Sequence, residues 1–275
     1  MKRLLSISDV ARLVARIPDL SGLVLVGGQA LNFWAENLQI ADADSEGPYG
    51  AALSADIDFL GSAKAAQEIA TAVSGAVKLA GTENLHSPNI ALVTFDVDGE
   101  AYEMDFLWHL QGFSPAELQR DGEVWTRAVP LQLTDEATPL RIMHPVHCLQ
   151  SQLENIYGAL KRRDEPDGSR YVPRARLAVE ASRRISIKYL VEGDIRSTLG
   201  VAETIHRLSL RDPALRARLR DDVRVDDAIV TDPRMPASFL ERRRAQMREQ
   251  LESKLSKFER AQNRRSEAKK RQSGE

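Results

Sequence analysis

The chain has 275 residues, 43% of them hydrophobic and 28% charged, with a formal net charge of −2 at pH 7. That length suits one large domain or two modest ones, and the single Cys148 excludes a disulfide framework and any cysteine-rich zinc site. Asp9, Arg12 and Arg16 interrupt the apolar positions near the start, so no signal-peptide core forms, and nothing later reaches the ~18 uninterrupted apolar residues of a membrane span. A cytoplasmic protein with no membrane partner is expected.

In chain order, Ser8 or Asp9 can cap a first helix running to about Ile17, with Val10, Leu13, Val14 and Ile17 at helical spacing. Leu23-Val24-Leu25-Val26 reads as a short buried strand ending at Gly27-Gly28, and Gln29 to Asn37 continues as a helix. Residues 40–52 have loop chemistry and lead into a second strand, Ala55 to Leu60; residues 63–74 form a helix. Ile90 to Val97 and Ala101 to Trp108 flank the turn Asp98-Gly99-Glu100, which is a hairpin signal. An extended stretch around Val124 to Leu133 follows.

From about Met143 the texture becomes helical, with candidate helices over 145–161, 172–191, 197–209 and 235–260. In the last of these Leu240, Met247, Leu251, Leu255 and Phe258 share a face and should dock on a neighbour. Charge is uneven: residues 239–275 hold 12 Lys/Arg and 6 Asp/Glu, net +6, whereas the remainder holds 26 and 34, net −8. A basic tail on an acidic body suits a polyanion such as RNA, or packing on that body.

The residues that carry chemistry are Val26-Gly27-Gly28, Asp56-Ile57-Asp58 and Asp105. Residues two apart on a strand point the same way, so Asp56 and Asp58 project together while Ile57 and Phe59 face the core. Clustered like charges persist where a hard cation neutralises them, and Mg²⁺ accepts carboxylate oxygens while keeping positions for water and substrate phosphates. If the hairpin strand lies beside the Asp56 strand, Asp105 supplies a third carboxylate, with Glu103 on the same face as the alternative. Two metals on three carboxylates suit phosphoryl or nucleotidyl transfer, and a glycine turn at a helix N-terminus lets backbone N–H groups approach phosphate.

These residues resemble the polymerase-β-like nucleotidyltransferases, whose signature is a hydrophobic residue with Gly-Gly or Gly-Ser, then Asp-hydrophobic-Asp or Glu, then a third carboxylate on a later strand. Within that superfamily, Gly27-Gly28-Gln29-Ala30-Leu31 followed by Ser54-Ala55-Asp56-Ile57-Asp58-Phe59 is most similar to the AbiEii-type enzymes, toxin components of bacterial type IV toxin–antitoxin and abortive-infection systems. The likeness covers residues 20–110 well and the helical half in outline. It implies an α/β (α+β) architecture: a nucleotidyltransferase-fold mixed sheet with helices over residues 1–140, an α-helical domain over 141–260 that closes the cleft, and a basic, frayed tail over 261–275.

The implied activity is Mg²⁺-dependent transfer of a nucleoside monophosphate from a nucleoside triphosphate to an acceptor hydroxyl, on tRNA or on protein, with an antitoxin protein as partner. Asp56, Asp58 and Asp105 would be the catalytic metal ligands, and Gly27, Gly28 and Ser54 would bind the nucleotide. Residues 29–55 form a longer interval than usual between glycines and acids, which makes 40–52 an insertion loop over the site. The first helix after the core reads His147-Cys148-Leu149-Gln150, with no lysine until Lys161 where the family has one earlier. Two alternatives therefore stand beside the main reading: transfer to a small molecule such as an aminoglycoside, and a catalytically silent scaffold of the same fold.

Other polar residues read as structural. His144 and His147 at a helix start, around Pro145, fit an N-terminal cap with a partly buried ring better than a metal pair. Lys161, Arg162 and Arg163 end a helix, where cations suit the dipole. Asn155 and Tyr157 could touch a base or sugar but rank no higher than core packing, and Arg242-Arg243-Arg244 and Lys269-Lys270-Arg271 suit either an RNA backbone or solvent. No Gly-x-Ser-x-Gly or Gly-x-x-x-x-Gly-Lys pattern occurs.

Overall fold

Ser6 starts the first helix, α1 (Ile7–Val14), through a capping box: its hydroxyl accepts from the Asp9 N–H at 3.1 Å, and its own N–H donates to the Asp9 carboxylate at 3.0 Å. The cap therefore lies ahead of Ser8 and Asp9, because an acid serves best three residues into the helix, where it reaches back to the cap. The computed structural model describes residues 4–20, 22–40, 56–81, 87–113, 127–131, 138–158 and 171–273. They are mixed α/β and divide into two compact units, Met1–Ala181 and Ser182–Glu275.

The first unit is built on a seven-stranded mixed sheet. Its strands are β1 (Val24–Val26), β2 (Ile57–Leu60), β3 (Ala76–Leu79), β4 (Asn89–Val97), β5 (Glu100–Leu107), β6 (Arg127–Leu131) and β7 (Thr138–Ile142), in the order β3-β4-β5-β2-β1-β7-β6. β4 and β5 are the expected hairpin. Asp98 and Gly99 both take positive φ, +57° and +82°, the two-residue geometry whose twist matches its flanking strands. β5 then lies parallel to β2, and β2 antiparallel to β1. The hairpin strand therefore sits beside the strand carrying Asp58.

β3 and β7 were not anticipated. β7 holds Pro139, which argues against an interior strand because it cannot donate to a ladder. The parallel pairing with β1 involves only Arg141 and Ile142, so the proline lies short of it.

Three further helices complete this unit: α2 (Gly27–Asn37), α3 (Ala63–Ala72) and α4 (Pro145–Tyr157), joined by the first part of α5 (Tyr171–Val191). α3 buries Ala66, Ile69 and Ala70 against β3 and β4. α2 is buried along nearly its whole length, and the indole N–H of Trp34 donates to the Met143 carbonyl at 2.8 Å, tying it to the chain just before α4. His144 caps α4 with its ring nitrogen accepting from the Val146 N–H, as the structural reading of that histidine expects, and its ring is more deeply buried than expected.

The second unit is helical. The remainder of α5 is followed by α6 (Ile195–Ser209), α7 (Asp212–Asp221), a 3₁₀ turn over Val225–Ala228, a π-helical turn over Phe239–Arg243 and α8 (Arg244–Ser273). Leu190, Ala202, Val230, Met235, Phe239 and Met247 form its core. Arg243 makes two hydrogen bonds to the Glu203 carboxylate, at 2.7 and 2.6 Å. α8 continues as helix to Ser273, through the stretch expected to fray. Ala, Glu, Lys, Arg and Gln there favour helix, and no glycine or proline intervenes before Gly274. Among the described residues no helix is long and apolar enough to cross a membrane.

Candidate functional site

Strand alternation sets the acids apart from the core. Ile57, Phe59, Met104 and Phe106 are fully buried, whereas Asp56, Asp58 and Asp105 are half-buried on the other face. In the parallel register Asp58 stands abreast of Asp105, and across the antiparallel pair it faces Val26. Neighbouring strands lie about 4.8 Å apart, so two carboxylates are held side by side. The Asn89 side-chain amide donates to Asp105 Oδ1 at 3.0 Å, so part of that charge is neutralised by a hydrogen bond.

Gly27 explains how the Asp58 carboxylate fits. The residue turns the chain from β1 into α2 with φ +66°, and a Cβ built on it would come within 2.0 Å of Asp58 Oδ2. Only glycine combines that backbone angle with that approach. The N-cap residue of α2, Val26, has no side chain that can cap the helix, so the helix start faces the Asp58 carboxylate through bare backbone at Gly27.

Gly27, Gly28, Asp56, Asp58 and Asp105 all line one cavity of about 280 Å³, near the lower end of the ~300–1,000 Å³ typical of ligand sites. The sequence-derived candidates are thus brought together, except Ser54, which lies outside the described residues. Glu103 is not among the residues lining the cavity. Tyr157 is buried in the core, His147 packs its ring against Phe113, and residues 161–163 are outside the described residues.

Of the rest of the lining, only Asn155 was singled out in the sequence, as a residue that could touch a base or sugar. Ser151, Gln152 and Asn155 come from α4, Tyr171 and Arg174 from the start of α5, and His109 from the segment after β5. That segment is pressed onto α4: Gln150 Nε2 donates to the Gly112 carbonyl at 2.7 Å, and a Cβ on Gly112 would meet Glu154 Cγ at 2.1 Å. Arg174 is only 6% exposed and its guanidinium lies 5.9 Å from the centre of the Tyr171 ring. A buried arginine is uncommon. Its position three residues after Tyr171, on the face shared with Ala175 and Ala178, was the one signal available.

One cavity therefore holds acids on the sheet side and a cation on α5. Among the described residues no three acidic, histidine or cysteine side chains are already gathered as a metal cage. Mg²⁺ seldom uses such a cage; it takes one or two carboxylates and completes its shell with water and substrate phosphates. The abreast pair Asp58 and Asp105 fits that donor set, with Asp56 two residues along the same chain. No family model, curated protein or solved structure matches the chain.

Proposed function

We propose that the protein is a Mg²⁺-dependent nucleotidyltransferase of the polymerase-β-like kind, moving a nucleoside monophosphate from a nucleoside triphosphate to an acceptor hydroxyl. One observation carries the reading: Asp56, Asp58 and Asp105 line a single cavity with the Gly27-Gly28 turn. Asp58 and Asp105 would hold Mg²⁺ with Asp56 beside them, and the bound ion would supply positive charge to the triphosphate and to the acceptor oxygen. The glycine turn Gly27-Gly28 at the N-terminus of α2 suits phosphate oxygens, because backbone without side chains lets them approach the helix start closely. Asp105 takes the proton of the acceptor hydroxyl as its oxygen bonds to the α-phosphorus and the bond to pyrophosphate breaks.

Arg174 supports the same reading. The lysine missing from the first helix after the core leaves a triphosphate short of a cation, and a buried guanidinium lines the cavity. RNA is the proposed acceptor, tRNA foremost, in the manner of the abortive-infection toxins with their antitoxin partners; the exposed Arg242 and Arg244 and the net positive charge of residues 239–275 favour a polyanion.

The test is incubation of the purified protein with each α-labelled nucleoside triphosphate, Mg²⁺ and total cellular RNA. Label enters RNA with the native protein. Asp105→Asn and Asp58→Asn should each lower the rate at least ~100-fold, the upper range for disturbing even an outer partner of a metal site, while circular dichroism stays unchanged. Undiminished transfer by both variants, or no transfer to RNA, protein or small hydroxyl acceptors by the native chain, overturns the reading.

A further inference from the structure

Gln152 occupies a position in α4 where the neighbouring pattern calls for an apolar residue. Leu149 and Leu153 on the same helix are fully buried, and Gln152 itself is 3% exposed. Its amide oxygen is shut off from solvent and has no hydrogen-bond partner, yet the residue lines the cavity that holds the three aspartates. His109 lines the same cavity, and its Nδ1 is likewise buried without a partner. A buried polar atom without a partner costs stability, so two of them on one cavity, an amide oxygen and an imidazole nitrogen, mark where a ligand completes the bonding.

The sign of the group sets the ligand chemistry. An amide oxygen accepts and does not donate, so it is complementary to N–H and O–H groups and not to phosphate oxygens, which are acceptors themselves. We propose that Gln152 recognises a hydrogen-bond donor on the nucleoside half of the substrate, an N–H of the base or a hydroxyl of the ribose, away from the triphosphate end at Gly27-Gly28. The proposal rests on the nucleotide reading of the site. A site built to pair such a donor discriminates strongly against an analogue lacking it, because the acceptor is then left buried and unpaired. Gln152 is in this view a specificity residue, and the aspartates carry the reaction.

The experiment measures equilibrium binding of the Mg²⁺ complexes of non-hydrolysable ATP, CTP, GTP and UTP analogues to the full chain and to Gln152→Met. Methionine is unbranched and of similar length, so the helix and its packing survive. The tightest nucleotide is then compared with its forms lacking the base N–H donor, the 2′-hydroxyl or the 3′-hydroxyl. Gln152→Met should weaken the best nucleotide about tenfold or more, and one analogue should bind the two proteins equally, which identifies base or ribose as the partner. Without nucleotide the variant should melt no lower than the native protein, since it loses no internal hydrogen bond. Equal binding of every nucleotide by both proteins overturns the role of Gln152 and leaves the nucleotide site standing. A variant that melts several degrees lower, or a deficit that no analogue removes, assigns Gln152 to structure and overturns the proposal. Failure of the native chain to bind any nucleoside triphosphate overturns both readings together.

Discussion

At the scale of single residues, the site depends on a glycine as much as on its acids. A side chain at position 27 must adopt the left-handed region, which costs about 1–2 kcal/mol, and must also displace a carboxylate that a Cβ would overlap at 2.0 Å. Gly27→Ala should therefore lower the melting temperature and remove the proposed nucleotide transfer together; a variant that melts lower yet transfers at the native rate would show that the Asp58 carboxylate can work from elsewhere. The grouping of Asp56, Asp58, Asp105 and the glycine pair was legible because strand alternation fixes which side each residue faces. Choosing Asp105 over Glu103 was not, since two positions on one strand face share that alternation. Arg174 and Gln152 escaped notice for a related reason: helical spacing marks a buried face but not which part of that face borders a void.

At the scale of elements, one ion pair fixes the π-helical turn that opens α8. The two bonds from Arg243 hold the Glu203 carboxyl below the usual carboxylate range, with the hydrogen bond the largest cause and burial opposing it. Both side chains are more than a third exposed or close to it, at 35% and 40%, so the pair is worth less than ~1 kcal/mol. A carboxyl whose pKa is depressed on folding stabilises the fold above its unfolded value of about 4.3 and loses that contribution as pH falls through the folded value. Glu203→Gln should thus be slightly less stable than the native chain in urea at pH 7 and equal to it near pH 3; an unchanged gap at both would point to packing and not to charge. Most elements were legible in the sequence, with the hairpin and the long helices the clearest. α7 was missed because its ten residues include three arginines and two aspartates, with only Ala214, Leu215 and Ala217 buried to mark a face. β3 was missed because its burial is slight, with three of four residues exposed.

At the scale of the whole molecule, the chain has two hydrophobic cores, one under a mixed sheet and one among helices. The helical texture begins near residue 143, but α4 and the start of α5 belong to the first unit. Trp34 contributes to this, since its bond to Met143 ties α2 to the entry of α4. A boundary read from texture alone cannot see such a tie, because it joins residues more than a hundred positions apart.

That distance has a temporal side. β4 and β5 meet through a two-residue turn, but Asp58 meets Asp105 only when β2 closes onto β5 from across the intervening chain, and α4 and α5 come from farther still. Local contacts form quickly, and non-local ones must first overcome the entropy of loop closure. During refolding, pulse-labelled hydrogen exchange should find the β4–β5 amides protected before those of β2; a single shared rate would contradict this order. The newly made protein would then hold its sheet hairpin for a time before it holds a working site, so a partner that recognises the completed cavity has nothing to grip until the chain from Gly27 to Arg174 has finished folding.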